Sequence, residues 1–174
     1  MAEQTTIERY TIGLGSFGSA ILNKVVESIK VGYPDLAKEE LENTINSFFV
    51  IDSSKDDQET LLSIPRENKL LISPDSSMLA TDNPWLPPDV GLPDRLVATE
   101  RKRIISRALY RTSGQQVLNS LLDKIEEIHS IRSGQSILVT LLVALGGGTG
   151  SGMLYHVARD LKTGLSQRFR TGTI

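Results

Sequence analysis

Residues 146–152 read Gly146-Gly147-Gly148-Thr149-Gly150-Ser151-Gly152, five glycines in seven positions. Glycine loses more conformational freedom on folding than any other residue, so such density is costly unless the backbone geometry requires it. The run follows the apolar stretch Ile137-Leu138-Val139-Thr140-Leu141-Leu142-Val143-Ala144 and precedes a helical pattern. A strand-to-helix junction of this kind is where ligands sit in open α/β sheets. The chemistry it offers is phosphate binding. Backbone N–H groups can approach an anion without side-chain obstruction, and the Thr149 and Ser151 hydroxyls can add hydrogen bonds.

A second glycine pattern, Gly13-x-Gly15-x-x-Gly18 with Ser16 inside it, also follows a strand and opens a helix. The helix N-terminus favours negative charge there. On its own this spacing is also that of an ordinary tight βα turn. A dinucleotide-binding unit would place an acidic residue about 20 positions later. Asp52 does end the next apolar strand, but it lies well beyond that spacing. Gly147 and Gly152 are spaced as in a P-loop, yet Met153 and Leu154 follow. A P-loop needs Lys and Ser or Thr at those positions to reach the phosphates and magnesium. Phosphate charge must therefore be met by backbone N–H groups, a helix dipole and a cation.

These loops need elements to hold them. Residues 10–14 read as a strand. Ile21, Leu22, Val25, Val26 and Ile29 then recur at helical spacing, up to Gly32 and Pro34. A second helix is expected over 35–46, a buried strand over 47–51, and a polar loop with one helical turn over 53–68. A third strand is expected over 69–72. Five prolines make 73–94 a long irregular loop. Residues 97–131 are helical with an interruption near Thr112-Ser113-Gly114. The apolar run 137–144 reads as a strand buried on both faces, and a helix follows over 153–161. Residues 171–174 look like the start of another strand. Alternation of this kind predicts an α/β fold with a mostly parallel, Rossmann-like sheet flanked by helices, with residues 1–174 forming one nucleotide-binding domain.

Composition narrows the function. Nineteen Lys and Arg against 21 Asp and Glu give a net charge of −2, unlike the basic excess of a nucleic-acid binder. The chain has no cysteine, which excludes disulfides, thiolate metal sites and thiol nucleophiles. No apolar run is long enough to span a membrane, and the polar residues 1–9 do not resemble a secretory signal. The expected location is the cytoplasm.

The loop at 146–152 resembles, without a mismatch, the GGGTG[ST]G signature of the tubulin/FtsZ superfamily. The resemblance implies GTP or GDP as ligand, with Mg2+. It implies that Gly146, Gly147, Gly148, Thr149, Gly150, Ser151 and Gly152 wrap the phosphates, with Gly13, Gly15, Ser16 and Gly18 opposite. Asp52, in Val50-Ile51-Asp52-Ser53-Ser54, takes the place of the family's second loop, near the phosphates or ribose. The third loop, which senses the γ-phosphate, falls within 73–100, where no glycine-rich match exists. The departures from FtsZ itself are closer to some prokaryotic tubulin-like proteins. The resemblance also implies nucleotide-dependent filaments, built head to tail, with hydrolysis completed by a neighbouring subunit. The family's water-activating acidic residue and guanine-stacking residues come from a later helix and C-terminal half, beyond Ile174. Phosphate binding is therefore implied more directly than hydrolysis, and no catalytic residue is assigned. Two alternatives stay open: an NAD(P)-binding oxidoreductase domain built on Gly13-x-Gly15-x-x-Gly18, and a non-catalytic interaction module of the same fold.

Other residues read more plainly. Arg95, Arg101, Lys102, Arg103, Arg107 and Arg111 are expected on a solvated helix face, paired with Asp123, Glu126 and Glu127 on the next helix. The sharper alternatives for them are a filament contact or charge compensation near the γ-phosphate. Asp56 and Asp57 read as loop solvation, with water-mediated magnesium binding as the alternative, and no direct metal ligand is assigned. His156 reads as a packing residue, and His129 as a cation near a helix end. Trp85 is either a loop anchor or an interface aromatic.

Overall fold

The structure, a computed structural model, describes residues 7–73, 76–87, 102–132 and 136–169. In chain order the elements are β1 (Ile7–Leu14), α1 (Gly15–Gly32), α2 (Lys38–Ile45), β2 (Phe48–Asp52) and α3 (Lys55–Glu59). A single 3-10 turn (Arg66–Asn68) leads into β3 (Lys69–Leu71), and α4 (Ser76–Asp82), α5 (Arg103–Arg132), β4 (Ser136–Val143) and α6 (Thr149–Arg168) complete the set. The four strands are all parallel, in the order β3-β2-β1-β4. The fold is therefore the α/β, Rossmann-like arrangement that the alternation of elements predicts.

Side-chain alternation along β1 divides the core in two. Tyr10, Ile12 and Leu14 point to one face, where with Phe49 and Ile51 they pack against Ile105, Leu109, Leu121 and Ile125 of α5 and Met153, Val157 and Leu161 of α6. Val50 points to the other face and packs with Leu22 and Val26 of α1, Ile45, Leu61 and Ile64. Each fully buried side chain of this size contributes roughly 1.5–3 kcal/mol.

The helices α5 and α6 lie on the same face and run parallel. Near their starts the Ser106 hydroxyl donates to the Thr149 carbonyl at 2.5 Å. Near the end of α6, Arg168 pairs with Asp123 and with Glu126 at 3.1 Å. Asp123 and Glu126 are therefore taken by α6 rather than by the arginines at the start of α5, as the sequence had suggested. They lie several turns further along the same helix.

Five other expectations are corrected. First, α5 is continuous through Thr112 and Gly114. Thr112 Oγ1 accepts a hydrogen bond from Asn83 Nδ2 at 2.9 Å, and Gly114 leaves room for the Tyr110 ring, which a β-carbon would approach to 2.6 Å. Both residues serve packing, so the apolar stripe carries through them in phase.

Second, α6 begins at Thr149, inside the glycine run, and extends to Arg168. Third, the irregular stretch contains α4; residues 88–101 lie outside the described residues, as do 171–174. Fourth, β4 is not buried on both faces: Leu138 is 44% exposed. Its one neighbour among the described residues is β1. The stripe of α1 is also narrower than its sequence suggests. Leu22 and Val26 are buried, whereas Ile21 and Val25 are each about two-fifths exposed.

Candidate functional site

The strand order places a topological switch beside β1. The chain leaves β1 toward β2 and β3, then returns to β4 on the other side. Crevices outside the carboxyl ends of strands at such a point are the usual ligand sites of open α/β sheets. The loops that end β1 and β4 meet there, and Asp52 ends β2 beside them.

The two glycine loops touch. Gly15 has φ +69°, a left-handed conformation that side-chain-bearing residues avoid. A β-carbon on it would stand 2.7 Å from the Gly150 nitrogen. A β-carbon on Gly150 would collide with the Leu14 carbonyl, and one on Gly18 with the Leu142 carbonyl. These three glycines thus bring backbone against backbone between β1, α1, β4 and α6. Gly13 faces the start of α1, where a β-carbon would come within 2.8 Å of Gly18. Gly152 allows α6 to reach α5, since a β-carbon there would lie 2.5 Å from the Arg103 carbonyl.

Gly146 and Gly147 differ. A β-carbon on Gly146 meets nothing within 4 Å, and one on Gly147 only the Ala144 carbonyl at 3.5 Å. Nothing inside the fold requires glycine there. Space beside both positions is open. The Gly147 N–H closes a turn onto the Ala144 carbonyl at 3.2 Å, and the Ser151 hydroxyl donates back to the Gly147 carbonyl.

Two helices start at this crevice, and neither is capped. The residues before them, Leu14 for α1 and Gly148 for α6, make no side-chain capping bond, and neither first turn holds an acidic residue. The leading N–H groups of a helix have no partner within it and carry partial positive charge. Two such ends converge here.

Asp52 is 1% exposed. Its Oδ1 accepts from the Ser53 N–H at 2.7 Å and the Ser54 N–H at 3.4 Å, whereas its Oδ2 is buried with no partner. Burial pushes its carboxyl up to about 6, against the lowering effect of the two backbone N–H groups. Ser16 lies close enough to lower it slightly, although its hydroxyl is placed to donate to Asp57 Oδ2 at 2.5 Å. The β1 and β2 loops are thereby tied, and the Ser53 and Thr149 hydroxyls, 2.9 Å apart, tie the β2 and β4 loops. Oδ2 thus remains a buried carboxylate oxygen without a partner. An orphaned buried carboxylate oxygen of this kind calls for an explanation such as a cation.

The structure therefore brings together all the residues that the sequence singled out: Gly13, Gly15, Ser16, Gly18, Asp52 and 146–152. Sequence reasoning missed Ser106 as a member of the site and gave Ser53 no role beyond its place in the loop after Asp52. It gave Arg103 only as one of a basic run. Arg103 opens α5 and its Nη2 donates to the Leu145 carbonyl at 2.6 Å, beside the glycine run. Serines and arginines in loops and at helix starts carry no periodic signal, so only the fold could place these three. Of the magnesium alternatives, Asp57 reaches the site through Ser16, and Asp56 makes no side-chain contact with the site among the described residues. Among the described residues no cluster of three or more His, Asp or Glu forms a metal cage.

The fold is an all-parallel α/β sheet with facing glycine loops and two uncapped helix N-termini at its switch point, an arrangement suited to an anion. A family model described as "Tubulin like" matches residues 11–170, and the chain belongs to that family. Among solved structures it is similar to CetZ1 from Haloferax volcanii, a GDP-bound monomer, with a TM-score of 0.55 and 20% identity. The match covers 90% of this chain and 38% of CetZ1, so the chain spans well under half the length of that protein. No curated protein sequence matches it. No helix among the described residues is long and apolar enough to cross a membrane.

Proposed function

We propose that the crevice binds GTP or GDP through its phosphates and that nucleotide binding governs self-association of the protein. The observation that carries this reading is the apposition of Gly15 and Gly150. It joins two glycine loops into one backbone cradle between two uncapped helix starts. Gly13, Gly15, Ser16 and Gly18 form one wall, and residues 146–152 the other. The open positions Gly146 and Gly147 let the phosphates approach the backbone, the buried Gly148 leads into α6, and Thr149 and Ser151 line the entry to that helix. The GDP-bound state of the similar CetZ1 structure supports guanine over adenine.

The residues present fit magnesium. Mg2+ is commonly held by one or two carboxylates together with phosphate oxygens. Asp52 offers a bare oxygen, and Asp57 is joined to the phosphate wall through Ser16. The ion would offset phosphate charge in a site that lacks a P-loop lysine. Self-association would be head to tail, a heterologous contact that leaves filaments open at both ends. Any GTP hydrolysis would be completed across that contact, and the cytoplasm is the compartment that fits a guanine-nucleotide ligand.

The test is equilibrium binding of GTP, GDP, ATP and NAD, with and without Mg2+, to the wild-type chain and to Gly148→Val. Guanine-selective binding that falls at least about tenfold in the variant, the loss expected for one or two charge-assisted hydrogen bonds, supports the reading. NAD binding untouched by Gly148→Val and abolished by Gly15→Val would instead establish a dinucleotide site. No nucleotide binding, with self-association intact, would make the chain an interaction module.

A further inference from the structure

The outer groove between α5 and α6 carries a second concentration of polar chemistry, distinct from the crevice. It is a cavity of about 310 Å³ lined by Arg107, Tyr110 and Arg111 of α5 and by His156, Arg159 and Asp160 of α6. None of these belongs to the glycine loops or to the β2 loop. The floor is aromatic: the Tyr110 and His156 rings stack with centroids 5.9 Å apart, and Tyr155 meets His156 edge-on at 5.5 Å.

Charge in the groove is only partly balanced. Arg159 Nε pairs with Asp160 Oδ1 at 2.6 Å, and the Tyr110 hydroxyl donates to Asp160 Oδ2 at 3.2 Å. Both oxygens of Asp160 are therefore engaged. Arg107 and Arg111 have no carboxylate partner among the described residues. The Arg107 guanidinium lies instead over the Trp85 ring, 5.5 Å from its centroid. Three arginines against one aspartate leave two uncompensated positive charges. His156 responds to this environment: desolvation first, then Arg107 and Arg159, hold it below its ordinary range, with Asp160 opposing.

We propose that this groove binds a phosphate monoester dianion, with the guanidinium groups of Arg107 and Arg111 as its donors and the Tyr110–His156 stack as its floor. The two arginines sit one turn apart on α5, and residues at i and i+4 share a helix face. Each guanidinium offers the planar fork that suits phosphate oxygens. Two surplus charges match a dianion, whereas a single carboxylate would leave one unmet. The cavity is closer in size to one small group than to a polymer track, and the net charge of −2 is unlike that of a polyanion binder. The ester could be a free small molecule or a phosphorylated side chain of a protein, and the shared chemistry is the phosphate.

NMR titration of the His156 ring tests this, with His129 the one other histidine to assign. The probes are inorganic phosphate, glycerol phosphate, blocked phosphoserine and, as a control, N-acetylglutamate. They are added to the wild-type chain, to Gly148→Val and to the double variant Arg107→Gln/Arg111→Gln. The expected result is saturable movement of the His156 resonances by phosphate. The ring's titration midpoint should rise, because the dianion offsets Arg107 and Arg159. Gly148→Val should preserve both effects, while the double variant should weaken binding at least about tenfold. Arg107→Lys/Arg111→Lys, which keeps the charge and loses the forks, should fall between them. Tighter binding of blocked phosphoserine than of glycerol phosphate would assign a phosphoprotein; the reverse would assign a free ester. The proposal is overturned by the absence of any His156 response, by equal binding of N-acetylglutamate, or by phosphate effects that vanish in Gly148→Val and persist in the double variant.

Discussion

Gly15 and Gly150 face each other so closely that a β-carbon on the first would stand 2.7 Å from the backbone nitrogen of the second. Two loops far apart in sequence are thus fitted main chain to main chain. Gly15 also holds φ +69°. We therefore expect Gly15→Ala to cost about 1–2 kcal/mol for the left-handed backbone alone, plus the displacement of the β4 loop. Thermal melts should show the stability loss, and guanine-nucleotide binding should fall with it.

Gly146 gives the contrasting case. A β-carbon there meets nothing within 4 Å, so Gly146→Ala should leave the melting temperature unchanged or slightly higher, since glycine-to-alanine changes at compatible sites gain about 0.4–1 kcal/mol. Nucleotide affinity should nevertheless drop, because the proposed site has this loop wrapping the phosphates. Equal losses of stability and affinity would show that Gly146 serves the fold rather than the ligand.

Asp52 should make stability depend on pH in an unusual direction for a carboxylate. Its folded value, about 6, lies above the ordinary 3.8. Between those values the folded state holds more protons than the unfolded one, so stability falls as pH rises from about 4 to about 6. Asp52→Asn removes the buried charge and should stabilise the ligand-free protein at pH 8 by on the order of 2 kcal/mol, with the gain shrinking toward pH 4. Denaturant titrations at both pH values check this. The same variant should weaken Mg2+-dependent nucleotide binding.

The Ser53 and Thr149 hydroxyls, 2.9 Å apart and buried, link the β2 and β4 loops. Ser53→Ala should cost about 1 kcal/mol and raise amide hydrogen exchange at the start of α6 without altering exchange in the middle of α5.

Gly114 sits within α5, where replacing glycine by alanine ordinarily stabilises a helix by about 1 kcal/mol. Here the β-carbon would lie 2.6–2.8 Å from three atoms of the Tyr110 ring. Gly114→Ala should therefore destabilise the protein, and circular-dichroism melts give the sign directly.

Much of this arrangement is legible in the sequence because glycine leaves a mark where backbones must meet. The run at 146–152 and the pattern at 13–18 identify two walls of the crevice, and Asp52 follows an apolar strand that places it alongside. The apolar stripe of Leu118, Leu121, Leu122 and Ile125 likewise announces the buried face of α5. What the sequence conceals is how glycine is used. Gly150 and Gly152 read as loop, yet they are helical residues whose missing side chains let α6 press on Leu14 and Arg103. The same density of glycine signifies looseness at Gly146 and tightness at Gly150. The apolar run of β4 signifies burial only where neighbours lie on both sides. Arg103, Ser53 and Ser106 reach the site through tertiary contacts that no local pattern encodes.

The strand order has a consequence for how the chain comes to be folded. β1 leaves the ribosome before β2, β3 and β4, yet it lies inside the described sheet, and its pairing Ile7↔Ser136 waits until β2, β3 and α5 have been made. β2 can dock early and give β1 one partner. Until β4 arrives, the other edge of β1, with Tyr10 and Ile12 beside it, stays unprotected. Pairings this distant in sequence are slow to form, and their exposed edges favour aggregation during synthesis. The nascent chain therefore passes through a stage in which a strand destined for the sheet interior is left open on one side, and the crevice between the β1 and β4 loops is assembled only at the end of it.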